Sequence, residues 1–121
     1  MRIKIFLLLA STIFITCSDE ENLPDKVCST PATVRDLTGL DGCGFVFELQ
    51  DGQRLIPLVL AYCGTPPLPP EVTKNPLYNF KWEDGKQVLI DYYIDDMPNI
   101  CMVGPVVKIT CISIDNSSNE K

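Results

Sequence analysis

The chain has 121 residues, 10 basic against 16 acidic and no histidine, for a formal charge of −6 at pH 7. That balance excludes a nucleic-acid binder, which needs clustered Lys and Arg against phosphate. The missing histidine excludes Ser-His-Asp and Cys-His catalysis, together with histidine-based zinc sites.

In chain order, Met1-Arg2-Ile3-Lys4 is basic, 5–15 is mostly apolar, and Thr16-Cys17-Ser18 gives way to Asp19-Glu20-Glu21. A basic start, an apolar stretch of about 7–15 residues and a small residue at the cut are the parts of an export signal. A cysteine directly behind that stretch predicts a lipoprotein signal over 1–16, with the Cys17 thiol diacylated and becoming the mature N-terminus. Phe14 and Thr16 are poorer than the residues usual at those places, so cleavage just after Ser18 stands as the alternative. An uncleaved anchor needs about 20 apolar residues, more than this run holds. Arg2 and Lys4 leave with the signal, so the mature 105 residues carry eight cations against sixteen acids, net −8. Such a chain meets the membrane through its acyl groups and not through charge. At this length it makes one small domain, whose modest core gains from cross-links.

Residues 17–27 are polar and acidic, with Pro24, and read as a tether. The acids just behind Cys17 resemble the surface-export signal of lipoproteins in the Bacteroidota. That resemblance implies an outer-membrane, surface-exposed address in the cell envelope.

Short strands follow. Residues 33–37 form a first candidate, closed by Gly39-Leu40-Asp41-Gly42. Cys43, Phe45, Phe47 and Leu49 then alternate with Gly44, Val46 and Glu48, which puts the first set on a core. Asp51-Gly52 is a hairpin signal. Residues 54–60 read as the return strand, with Pro57 marking an edge or a bulge. Five of the ten prolines fall within 64–76, so this stretch is an extended loop, with one helical turn at most around 71–74. Residues 78–82 read as a short strand or a packed segment. In 87–94, Val88, Ile90, Tyr92 and Ile94 share a face. Residues 95–99 are a turn, 100–103 a short strand, 106–114 a β-branched strand, and 116–121 a frayed, disordered tail. About six short strands in 28–115, without helical periodicity, predict an all-β, five- to six-stranded OB-like barrel.

Several of these segments carry a resemblance. The run 37–45 with its Gly42-Cys43-Gly44-Phe45, Asp51-Gly52 with 55–58, then 88–93, Ile100-Cys101-Met102 and 107–110 are similar to a group of small, uncharacterised bacterial lipoproteins. The similarity spans most of 28–114. It implies a compact β fold and surface display, and brings no catalytic residues.

Cys17 apart, the cysteines are Cys28, Cys43, Cys63, Cys101 and Cys111, none at CxxC spacing. In an exported chain they predict two disulfides and one spare thiol. Cys43 with Cys101, and Cys28 with Cys111, would each join an N-terminal strand region to a C-terminal one, leaving Cys63 in the proline-rich loop. Glu83 and Asp84, or Asp91, Asp95 and Asp96, offer carboxylates for acid–base work. Asp91, Asp95, Asp96 and Asn99 offer oxygens for calcium. Turn chemistry and solvated strand faces account for all of them, so no metal and no cofactor is expected. The binding candidates are Tyr62, Pro66, Pro67, Leu68, Pro69, Pro70 and Tyr78, because pre-set prolines lose little entropy on docking. The sequence thus leads to a non-enzymatic cell-envelope lipoprotein, a binding or structural module for a protein or glycan partner. An inhibitor of an enzyme is the alternative, and a small hydrolase using Asp91 and Glu83 a second.

Overall fold

The computed structural model describes residues 27–117. The predicted signal, Cys17, most of the tether and residues 118–121 lie outside them. Five strands, β1 (Thr30–Asp36), β2 (Phe45–Leu49), β3 (Arg54–Pro57), β4 (Gln87–Ile94) and β5 (Val106–Ile114), close a barrel in the order β1-β2-β3-β5-β4. All neighbours are antiparallel except β3 and β5. One helical turn, α1 (Pro70–Thr73), sits in the β3–β4 crossover, with a proline in its first turn where a missing N–H costs nothing. The domain is an all-β, OB-like barrel.

Local chemistry builds the pieces. At the β2–β3 hairpin, Gly52 takes a φ of 84°, and the Asp51 carboxylate accepts the Gln53 N–H at 2.9 Å. β3 stops at Pro57, earlier than the 54–60 span predicts, and Pro57 pairs with Val107 of β5 while the β2 ladder ends at Leu55, so Pro57 is a local edge on that side. The parallel ladder takes the N–H groups of Ile56 and Leu58, bonded to the Pro105 and Val107 carbonyls, so the absent N–H of Pro57 is not needed.

The barrel interior holds Val34, Phe47, Leu55, Val88, Ile90, Val107 and Ile109, all buried. Each such side chain contributes about 1.5–3 kcal/mol on leaving water. Residues 78–82 make no strand; Phe80 and Trp82 pack against the core, and Tyr78, Asn79 and Lys81 are exposed. Trp82 stacks on Phe45 at 5.6 Å and meets Phe80 edge-on at 4.8 Å.

Two disulfides are present, Cys28–Cys111 and Cys43–Cys101, and Cys63 is free and exposed. Their pairing is the one the strand positions predict.

Three further expectations need correction. β2 is buried on both faces: Val46 is as inaccessible as Phe47, and it belongs with Ile56, Cys101 and Val106 to a second cluster that Cys43 joins. Cys43 therefore does not share the core of Phe47. Ile94 is exposed, because β1 pairs with β4 only as far as Ile90 and the register with β5 shifts between Asp91 and Tyr92. Residues 100–103 form no strand and stay in the loop between β4 and β5.

Candidate functional site

The proline-loop candidates differ in exposure. Tyr62 and Tyr78 are each 46% exposed, Pro66 and Pro67 are exposed, and Leu68 and Pro69 are half-buried. Pro70 is spent on opening α1. Tyr78 alone of the set reaches a cleft of about 90 Å³, whose other walls include Val59, Leu60, Val72 and Leu77.

A different surface gathers more. The β1–β2 loop (37–44) and the β4–β5 loop (95–105) are bonded to each other by Cys43–Cys101. Behind the disulfide, Val46, Ile56, Cys101 and Val106 form the second cluster, with Leu37, Leu58 and Val103 packed on it. The base of the β4–β5 loop is pressed onto β3 at Gly104, where a Cβ would overlap the Arg54 carbonyl. The Asn99 side chain accepts the Cys101 N–H at 2.7 Å and holds the turn before the disulfide. On this frame Ile100 is 80% and Met102 92% exposed, with Leu40, Met97 and Ile94 also exposed. A groove of about 410 Å³ runs beside the loop, between Ile94, Asp95, Asp96, Met97 and Met102.

The sequence predicts a turn over 95–99 and a strand over 100–103, and neither element marks this patch. The signal was in the alternation around Cys101: a disulfide half-cystine turned inward leaves its two neighbours, Ile100 and Met102, turned out.

In OB barrels the outer face of β2–β3 commonly receives oligonucleotides or oligosaccharides. Here that face is taken. Its upper part is the buried Val46 and Ile56 under the loops. Below them Glu48 accepts from Arg35 and Arg54, each Nε at 3.2 Å. The Arg54 and then the Arg35 hydrogen bond hold the Glu48 carboxyl below its ordinary value.

Compared with known proteins, the chain matches no family model, no curated protein and no solved structure. Geometry therefore carries the functional reading.

The carboxylates have local roles. Asp91 accepts the Ser29 backbone N–H at 2.9 Å and its hydroxyl at 2.8 Å. Asp84 accepts the Asp36 N–H at 2.9 Å. Glu83 is 69% exposed and pairs with Lys86 at 2.9 Å, and the Lys86 hydrogen bond lowers its carboxyl below the usual range. Asp95 and Asp96 line the loop groove. Among the described residues no three metal-binding side chains come together.

Proposed function

We propose that this protein is a non-enzymatic, lipid-anchored module of the cell envelope, held at the outer membrane through Cys17 and displayed at the surface, which binds a protein partner. Its contact surface is the stapled pair of loops at 37–44 and 95–105. One observation supports this above the others: Ile100 and Met102 stand 80% and 92% exposed on a loop that a disulfide and a buried cluster hold in place. An exposed apolar patch on a strongly acidic domain marks an interaction surface. Its constraint lowers the ordering cost of docking. Methionine is enriched at protein interfaces, and a patch of aliphatic and thioether groups suits a protein better than a sugar. Asp95 and Asp96 beside the patch favour a partner that is neutral or basic there.

The same rigid loop also fits insertion into an enzyme cleft, so an inhibitor is the second reading. The hydrolase reading has no comparable support, since Glu83 and Asp91 each serve a local contact.

The test is crosslinking of the native lipoprotein on intact cells, with Ile100→Asp and Met102→Asp beside the unaltered chain. Both sites are exposed, so stability should move by less than about 0.5 kcal/mol. Capture of a discrete partner that both variants lose is expected. Equal capture by all three chains would sink the assignment of this surface. A partner that proves to be an enzyme, and is inhibited by the native chain but not by Met102→Asp, would select the second reading.

A further inference from the structure

The described residues hold two methionines, and neither lies on a strand. The third in the chain, Met1, belongs to the predicted signal. Methionine ordinarily fills gaps in apolar cores. Here both hydrophobic clusters are built from aliphatic, aromatic and cysteine side chains instead. Met97 and Met102 stand 51% and 92% exposed on the stapled β4–β5 loop, and line one groove with Ile94, Asp95 and Asp96. Among the described residues, thioethers are thus confined to the proposed contact surface.

The other sulfurs do different work. Cys28, Cys43, Cys101 and Cys111 are already oxidised to disulfides, and Cys63 is an exposed thiol on the β3–β4 crossover. An oxygen added to Met97 or Met102 enters neither core and breaks no disulfide, so the fold has no reason to respond. The surface does. A sulfoxide is polar where the thioether was apolar, and its oxygen only accepts hydrogen bonds. Asp95 and Asp96, the polar side chains nearest in sequence to Met97, are acceptors too when ionised and cannot satisfy it.

We propose that Met97 and Met102 form a peroxide-sensitive modification site that switches the stapled-loop surface off. The inference rests on that surface being the one that docks. A lone pair of Sδ attacks a peroxide oxygen, and the S–O bond forms as the O–O bond breaks. The sulfur gives up two electrons, and the departing hydroxide takes the proton of the transferred oxygen and leaves as water. A partner shaped for an apolar patch must then strip water from a sulfoxide without replacing its hydrogen bond.

The full mature chain carrying Cys63→Ser, which removes the competing thiol, is treated with hydrogen peroxide, cleared of it with catalase and crosslinked on cells that lack the protein. Peptide mapping should place an oxygen on Met97 and on Met102, with Met102 oxidised within about twofold of its rate in the unfolded chain. The melting temperature should not move, and capture of the partner should fall about tenfold or more. Met97→Leu with Met102→Leu, apolar but not oxidisable, should capture the partner before and after peroxide. Slow oxidation of Met102 in the folded chain, undiminished capture by the oxidised chain, or capture that peroxide still abolishes in the leucine variant each overturns the proposal. Met102→Asp tells this failure from that of the docking reading. If it loses the partner while the oxidised chain keeps it, the surface stands and the switch is refuted. If it captures the partner as well as the native chain does, the surface is refuted and the switch with it. Mapping and capture of the oxidised chain need no substitution in the patch, so they decide the matter even if the leucine variant disturbs folding.

Discussion

Glu48 illustrates how one side chain ties three strands together from outside the barrel. It reaches Arg54 across the β2–β3 ladder and Arg35 on β1. Because its carboxyl is held below the ordinary glutamate value, the folded chain binds that proton more weakly than the unfolded one. The stabilisation is therefore complete above the unfolded value and is lost as pH falls through the lower folded value. Glu48→Gln should bring a flatter fall in melting temperature between about pH 5 and about pH 3, with the two proteins converging at the acid end. Thermal melts across that range check it, and parallel curves would count against the pairing. Gly104 acts at the same scale by having no side chain. A Cβ there meets backbone, which cannot swing aside, so Gly104→Ala should cost about 1–3 kcal/mol in urea unfolding. Amide exchange at Ile56 and Val106 should rise with it.

Among the elements, β4 and β5 are the most legible in the sequence, and the β4–β5 loop the least. Val88, Ile90, Val107 and Ile109 alternate with outward residues, and a half-buried strand can be read from that period alone. Residues 100–103 are an unbroken apolar run, Ile100-Cys101-Met102-Val103, yet form no strand. Their backbone direction is set by the Asn99 side chain and by a covalent bond to Cys43, 58 residues away in sequence. Replacing the pair, Cys43→Ser with Cys101→Ser, should lower stability by about 4 kcal/mol on the chain-entropy model for a loop of that length. Amide exchange should accelerate most in 95–105 and least in β4 and β5. A uniform acceleration would mean that the disulfide supports the whole barrel and not the loops in particular. In β2 the sequence reading recovers one face and misses the other, since Val46 lies in a position that alternation assigns to solvent.

For the whole molecule, a closed barrel removes most free strand edges, and the two disulfides join its ends across 83 and 58 residues. Labelling of the intact chain with iodoacetamide should modify Cys63 without reductant and all five of Cys28, Cys43, Cys63, Cys101 and Cys111 after reduction and unfolding. Mass spectrometry of the native protein from membranes reads the same species for acylation of Cys17. A chain that begins at Asp19 without lipid would replace the anchored module with a soluble secreted one. Modification of Cys43 or Cys101 in the unreduced protein would contradict the loop staple on which the proposed contact surface rests.

Turn positions and strand periods are local properties, so Gly, Pro, Asp-Gly and period-2 alternation suffice for an OB-like barrel, whereas the two disulfides span 83 and 58 residues and follow only from how the strand regions are placed. Candidate sites fared differently. In the proline run Pro70 opens α1 and Leu68 is half-buried, while Pro66 and Pro67 are exposed, a division that composition does not reveal. The exposed Ile100 and Met102 and the filled face of β2–β3 depend on which segments meet in space. Periodicity says that a residue faces one side or the other. It does not say what covers that side, because that is settled by strand order, by where β3 ends, and by a bond between two loops distant in the chain.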